Sequence, residues 1–115
     1  MELDELRAYA LSLPYAEESM PFGEDILAFT LCGKIFMLLW LTDGRGRFNV
    51  KCDPERAIWL RDKYAGIEPG FHMNKRHWNT VYCNRDLTRK LLEEQILHSY
   101  TCVKQKLPKR IQQRL

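Results

Sequence analysis

Apolar residues recur along the chain with two different periods, and these periods predict its helices and strands. Near the N-terminus, four apolar residues recur every three or four positions, as on the buried face of a helix: Leu3, Leu6, Ala10 and Leu13. Pro14 cannot continue that helix, because proline lacks the backbone N–H and clashes with the preceding turn. Residues 15–25 contain Pro21 and Gly23 and predict an irregular, acidic connection.

Four short apolar runs bounded by turn residues predict β-strands. They are residues 26–31, 35–41, 47–51 and 78–83. Tight glycine-containing turns at 32–34 and 42–46 join the first three runs, which predicts antiparallel neighbours. In the third run, Phe48 and Val50 share one face of the sheet, and the polar residues share the other: Arg47, Asn49 and Lys51.

Two further helices are indicated by their caps and their apolar spacing. Asp53-Pro54-Glu55 is a strong helix start, and Gly66 is a suitable stop after about Tyr64. Asp86 can cap a last helix that ends near Pro108. Its apolar stripe has helical spacing: Leu92, Ile96, Tyr100, Val103 and Leu107.

The predicted order is α-β-β-β-α-β-α, with a possible short extra strand near Phe71. Helices packed on one face of an antiparallel sheet make a two-layer α+β domain. The 115 residues contain no internal linker, so residues 1–115 are expected to form a single domain.

Composition narrows the class of protein. Apolar residues make up 45% of the chain and charged residues 29%, as in folded globular proteins. No apolar run approaches the roughly 20 residues that a membrane span needs. The acidic start, Met1-Glu2-Leu3-Asp4-Glu5, does not resemble a secretion signal, so a cytoplasmic location and free, mostly buried cysteines are expected.

The charges are unevenly distributed along the chain. Residues 1–25 hold seven acids and one base, whereas the remaining residues carry 17 bases against 8 acids. The C-terminal tail from about residue 104 has five bases and no acid. This asymmetry allows two interpretations, a basic side that steers toward an anion and ordinary solvated faces of a small fold.

Residues 70–81 combine cations, amides, histidines and aromatic rings, a mixture that suits contact with a polar anionic partner. Lys75 and Arg76 can neutralise phosphates, while Asn74 and Asn79 can donate and accept at base edges or sugars. The rings of His72, His77 and Trp78 offer stacking faces. The alternative is that Trp78 belongs to the core and the polar residues stabilise a loop through backbone hydrogen bonds.

Other sites are less well supported by the sequence. His72, His77 and Cys83 lack the spacing of a zinc module, and no cysteine lies in a recognisable catalytic turn. The turn at 42–47 lacks the Lys-Ser/Thr ending of a phosphate loop and precedes a strand. A hairpin tip carrying Arg45 and Arg47 can still contact a nucleic-acid backbone, in which case it is termed a wing.

The order of several short motifs resembles the YjbR/MmcQ family of small bacterial proteins over nearly the whole chain. The N-terminal half contributes Leu13-Pro14, Glu17-Glu18-Ser19, Pro21-Phe22-Gly23, Gly33-Lys34-Ile35-Phe36 and Lys51-Cys52-Asp53-Pro54-Glu55. The C-terminal half contributes residues 69–81, Ser99-Tyr100 and Leu107-Pro108-Lys109.

The resemblance implies a frataxin-like (CyaY-like) fold with an antiparallel sheet backed by N- and C-terminal helices. It also implies a DNA-binding role with a double-wing arrangement, and it supplies no catalytic residues. Frataxin-type proteins bind iron through an acidic ridge, which here is interrupted by residues 7–10.

The sequence therefore predicts a small non-enzymatic module that binds DNA and needs no cofactor or metal. Its candidate contacts are Arg45, Arg47, His72, Asn74, Lys75, Arg76, His77 and Asn79. The alternatives are a protein- or small-ligand-binding domain with residues 72–79 as a pocket wall, an iron-binding protein, and an enzyme with an unrecognised site.

Overall fold

The chain forms four helices and six strands in the order α-β-β-β-β-α-β-β-α-α, in a computed structural model that describes residues 1–115. The helices are α1 (Leu3–Ser12), α2 (Pro54–Lys63), α3 (Arg89–Gln105) and α4 (Lys109–Gln112). The strands are β1 (Ala16–Ser19), β2 (Ile26–Leu31), β3 (Lys34–Trp40), β4 (Arg47–Lys51), β5 (Ile67–Pro69) and β6 (Trp78–Tyr82).

All six strands form one open antiparallel sheet in the order β1-β2-β3-β4-β6-β5. The β2–β3 hairpin turns through Cys32 and Gly33, whose φ angles are 50° and 80°. Two consecutive positive φ values are what a two-residue hairpin turn of the I′ type requires. The predicted α+β class, with an antiparallel sheet and helices from both ends of the chain, is confirmed.

One face of the sheet forms the core with the helices. Phe29, Met37, Phe48 and Val81 belong to a single hydrophobic cluster together with apolar residues of the three long helices. The helix residues in this cluster are Leu6, Ala10, Ala57, Leu60, Leu92, Ile96, Tyr100 and Val103. None of the helices is both long and apolar enough to cross a membrane.

The structure departs from the predicted order at three places. β1 lies within the stretch predicted to be irregular, and the extra strand is β5 at Ile67–Pro69 rather than near Phe71. The basic C-terminal segment is helical, because α4 continues the chain after Pro108. Ile111 and Leu115 are partly buried against the core, which holds this segment in place.

The start of α2 is as predicted. The Oδ2 atom of Asp53 accepts a hydrogen bond from the backbone N–H of Arg56 at 3.4 Å, and Pro54 occupies the first turn. We expect Asp53→Ala to lower the free energy of unfolding by about 0.5–2 kcal/mol through loss of this cap. Urea denaturation measures the change, and an unchanged midpoint would show that the carboxylate does not stabilise the helix.

The four cysteines are unpaired but differ in exposure. Cys52 and Cys83 are buried, Cys102 is half-buried and Cys32 is exposed, so the expectation of burial is wrong for Cys32. Its place in the β2–β3 turn explains the difference, since turn side chains face solvent.

Burial raises the pKa of Cys52 and that of Cys83 to about 11. We therefore expect Cys32 to react first with a thiol reagent at pH 8, while Cys52 and Cys83 stay protected until the protein unfolds. Unfolding without reductant should then release all four thiols. Simultaneous reaction of all four in the native protein would contradict this burial pattern.

Candidate functional site

A groove runs along the end of the sheet where β4 stops and β6 begins. Three adjoining concavities form it, with volumes of about 570, 550 and 290 Å³, and Lys51 and Lys106 line all three. Lys34, at the start of β3, lines the second concavity. We call this concave surface the lysine groove.

The lysine groove is positively charged. The sole carboxylate among its lining residues belongs to Asp53, which caps α2. None of its three lysines lies within ion-pair distance of a carboxylate. Cations that are concentrated in a concavity without partners attract anions.

An apolar patch lies beside these cations. Trp78 is half-buried and pairs with Lys51 across the β4–β6 ladder. Met73 and Ile35 line the same concavity, together with Val103 of α3 and Leu107, which lies between α3 and α4. The groove therefore offers apolar and aromatic surface next to positive charge.

Lys51 is held in place through its backbone. Its N–H donates to the Oγ atom of Ser99 at 2.7 Å, and this hydroxyl in turn donates to the carbonyl of Phe36 at 2.5 Å. Ser99 is fully buried on α3. The helix thus fixes the strand ends that form the groove.

Residues 70–77 cross the second face of the sheet, and we call them the crossing segment. Its beginning is fixed where Gly70 N–H donates to the carbonyl of Trp78 at 2.9 Å and Asn49 Nδ2 donates to that of Phe71 at 2.8 Å. Its end is fixed where Cys52 N–H donates to the carbonyl of His77 at 2.7 Å. The segment therefore has a defined position at the groove.

Arg61 of α2 clasps the far side of this segment. Its Nε donates to Asn79 Oδ1 at 2.7 Å, and its Nη2 donates to the carbonyls of Trp78, at 3.2 Å, and Lys75. A planar guanidinium can make these bonds at once, because its donors are arranged in a fork.

The structure brings some of the predicted contact residues together. Asn74 and His77 line the lysine groove. Lys75 and Arg76 are exposed and line an adjoining concavity of about 530 Å³. Pro54 lines both concavities, so the two surfaces are neighbours.

Two predicted residues are exposed but lie away from the groove. His72 packs against the ring of Phe71, with 3.8 Å between ring centroids. Arg45 lies in the β3–β4 turn, where its N–H donates to Asp43 Oδ1 at 3.0 Å. That turn is at the opposite end of β4 from Lys51, about 13 Å away for four residues of strand.

Arg47 is buried, contrary to the prediction that it lies exposed at a hairpin tip. Only 6% of it is exposed. Its guanidinium lies 5.0 Å from the ring centroid of Trp40 and 4.4 Å from that of Phe71, and its Nε donates to Asp43 Oδ2 at 2.8 Å. The crossing segment covers this part of the sheet, so Arg47 is engaged within the fold and unavailable to a phosphate.

Asn79 is also unavailable, since it is 1% exposed. It pairs with Val50 across β4–β6 and therefore faces the helices, where Oδ1 accepts from Arg61. Its Nδ2 has no hydrogen-bond partner. The Asn79 amide therefore contributes to the interior of the fold and cannot contact DNA.

The lysine groove also contains a cysteine–histidine contact that the sequence analysis did not identify. Cys102 Sγ lies 3.4 Å from His98 Nε2 on α3. Burial raises the pKa of Cys102, while burial and the nearby Arg56 cation lower the pKa of His98. Both shifts favour the neutral thiol and imidazole, whereas nucleophilic catalysis needs the thiolate.

The metal and iron hypotheses gain no geometric support. No three His, Cys, Asp or Glu side chains converge into a group that could hold a metal ion. His77 lies at the Trp78 end of β6, whereas Cys83 follows its other end, where its backbone N–H donates to the carbonyl of Gly46. In the acidic N-terminal region, Glu18 pairs with Arg7 and Glu5 pairs with Arg89.

Lys34, Lys51 and Lys106 were missing from the predicted contact set. They are 17 and 55 residues apart, and only the strand order and the packing of α3 bring them together. The alternation of β4 did assign Lys51 to the polar face, but nothing in the sequence indicated that this strand end borders Trp78.

Comparison with known proteins identifies relatives over most of the chain. The model of the YjbR family matches residues 11–102. Escherichia coli O157:H7 protein YbdF is 40% identical over 106 residues, which cover 92% of this chain and 87% of that protein. Protein YjbR of E. coli K12 is 30% identical over 87 residues, or 76% of this chain and 74% of that protein. Both relatives are described as uncharacterized.

Two solved structures have the same fold. Deinococcus radiodurans protein DR2400, a DUF419 domain, superposes with a TM-score of 0.84 at 35% identity and covers 90% of this chain and 79% of its own. A Pseudomonas syringae protein superposes with a TM-score of 0.76 at 27% identity and covers 89% and 98%. These likenesses concern the fold and the family, and neither description states a ligand.

Proposed function

This chain belongs to the YjbR family, and from that premise we propose that it is a small, non-enzymatic DNA-binding module. The observation that carries the proposal is a group of five unpaired cations at one end of the sheet. They are Lys34, Lys51, Lys75, Arg76 and Lys106.

None of these five cations forms an ion pair, whereas four of the nine other arginines of the chain do. The five ion pairs of the structure use Arg7, Arg47, Arg85 and Arg89, and none uses a cation of this group. An unpaired surface cation is free to neutralise a phosphate and to release the counterion bound there. Phosphates are thus a suitable partner for this surface.

The other predicted contact residues differ in whether they can reach a DNA partner. Asn74 and His77 lie beside the cations and can hydrogen-bond a sugar or a base edge. Arg45 lies in the β3–β4 turn, so it can contact the same DNA molecule only if that molecule extends along the whole length of β4. Arg47 and Asn79 act within the fold.

The second candidate function is binding of a small anionic ligand, favoured by the concave shape of the lysine groove. Its largest concavity, about 570 Å³, falls within the range of small-molecule sites. Asn74 and His77 would then be the pocket wall anticipated for residues 72–79.

Salt-titrated binding to duplex and single-stranded DNA tests the leading proposal. We expect measurable affinity at low salt that falls linearly with the logarithm of salt concentration. For Lys75→Ala/Arg76→Ala we expect weaker duplex binding and a log–log slope smaller in magnitude by about 2, since two phosphate contacts are lost.

Lys63→Ala/Lys90→Ala is the matched control. It removes the same charge from the far ends of α2 and α3, at exposed positions without ion pairs. We expect its slope to stay near that of the wild type. Absence of wild-type binding at low salt, or equal slope changes in the two variants, would contradict the proposal. Unfolding of the Lys75/Arg76 variant would show that the pair is structural.

A further inference from the structure

We infer that the lysine groove accepts one unstacked nucleotide of single-stranded DNA, with its base on Trp78 and its phosphates on Lys51 and Lys106. This inference rests on the proposed DNA binding and adds to it a preference for single strands. The carrying observation is that cations and an aromatic ring share the same two concavities.

The chemistry of a nucleotide matches the two halves of the groove. The second concavity has Lys34, Lys51 and Lys106 on its polar side and Met73 and Trp78 on its apolar side. A nucleotide likewise carries a flat base, whose π faces stack on aromatic rings, on one side and a charged phosphate on the other. Phosphate alone would leave the indole and the thioether without a partner.

The shape of the groove explains the preference for a single strand. A base can enter a concavity only when it has left its neighbours in the stack, and a duplex opposes this by the cost of unpairing. The volume of about 550 Å³ is suitable for a molecule of nucleotide size. An outer surface of cations without an aromatic ring would have no such preference.

Trp78 has a defined position for this role. The chain on both sides of it is tied down: Gly70 donates to its carbonyl, Arg61 donates to the same oxygen, and β4 pairs with it at Lys51. A half-buried ring that is already ordered loses little conformational freedom when a base stacks on it.

The test compares three probes of equal phosphate number at one salt concentration: oligo(dT), an abasic strand, and a duplex. We expect oligo(dT) to bind at least about tenfold more tightly than the abasic strand, because each stacked base adds affinity that phosphates do not. We also expect it to bind more tightly than the duplex. Thymidine 5′-monophosphate should compete only at a much higher concentration than the strand.

Variants at Trp78 separate stacking from folding. We expect Trp78→Leu to lose the preference for oligo(dT) over the abasic strand while it keeps its affinity for the abasic strand. Trp78→Phe retains a stacking face and should keep the preference. Affinity for the abasic strand therefore reports that the variant is folded, and the wild-type comparison remains decisive if a variant does not fold.

The possible failures are distinguishable. If no probe binds at low salt, the proposed DNA binding itself is wrong. If the three probes bind equally, DNA binding stands and the nucleotide site is overturned. If thymidine monophosphate binds as tightly as the strand, the groove is a small-ligand site and the single-strand inference is overturned.

Discussion

We expect Ser99→Ala to lower the free energy of unfolding by about 2–4 kcal/mol, which is a large effect for the loss of a single oxygen atom. Ser99 is fully buried, and its hydroxyl joins the carbonyl of Phe36 to the N–H of Lys51. The β3–β4 ladder ends at Met37 and Val50, so these two backbone groups lie just beyond it. Alanine leaves both without a partner, and each unmade buried bond costs about 1–3 kcal/mol.

Urea denaturation of Ser99→Ala and Thr101→Ala measures this effect against a control on the same helix. Thr101 is half-exposed, and its hydroxyl bonds only to the carbonyl of Leu97 in its own helix. We expect a change of less than about 0.5 kcal/mol there, as for most surface substitutions. A similarly small loss for Ser99→Ala would show that the hydroxyl bridge does not hold the strand ends together.

The helices and central strands could be predicted because their signals are local. The cap at Asp53, the glycine turn at Gly33 and the apolar stripe of α3 each act within a few residues of chain. Interactions between residues that are close in sequence depend little on the rest of the fold. These elements therefore lie within two or three residues of the predicted bounds. The predicted cap of α3 is wrong, because Thr88 caps the helix and the Asp86 carboxylate instead accepts from the N–H groups of Ala65 and Gly66.

β1 and β5 could not be predicted, because they are strands only through their partners. β1 reads Ala-Glu-Glu-Ser, a composition with low strand propensity, and its ladder with β2 pairs Glu17 with Thr30. β5 has three residues, one of them Pro69 at the sheet edge, where its missing N–H does no harm. Tertiary pairing decides both.

The exposure of the candidate contact residues could be predicted only in part. Lys75 and Arg76 were correctly expected to be exposed, because adjacent unpaired cations are costly to bury. Arg47 is buried despite its charge, because Asp43 and two aromatic rings compensate the cost of removing its guanidinium from water. Part of this compensation comes from Phe71, which is 24 residues away, and no local pattern reveals that part.

The motifs that carried the family resemblance have structural roles near the groove. A Cβ atom on Gly70 would lie 2.7 Å from the Cβ of Trp78 and 2.9 Å from its carbonyl oxygen, so only glycine fits against this part of β6 without movement. The hydroxyl of Tyr100 donates to the carbonyl of Pro14 at 2.8 Å and ties α3 to the end of α1. Part of the family pattern thus maintains the fold that presents the cations.

Arg61 has the second large expected effect, because it is the clasp between α2 and the segment that carries Lys75 and Arg76. We expect Arg61→Met to lower the free energy of unfolding by about 2–4 kcal/mol, since hydrogen bonds from a charged donor contribute about 1.5–3 kcal/mol each. The substitution leaves Oδ1 of the buried Asn79 without its donor, and Nδ2 of that amide has no partner already. We expect Arg61→Lys to restore little, because an ammonium lacks the planar fork that reaches three oxygens.

Arg56→Met is the matched control, since it removes the same charge from an exposed position on the same helix. Urea denaturation gives the stability change, and amide hydrogen exchange reports on the clasp itself. We expect Arg61→Met, but not Arg56→Met, to increase exchange within residues 70–79, because the bonds to the carbonyls of Lys75 and Trp78 are lost.

The DNA affinity of Arg61→Met should also fall, since the cations of the crossing segment would no longer be held beside the lysine groove. If exchange and denaturation midpoint both matched the control, the segment would be held by its strand contacts and not by Arg61.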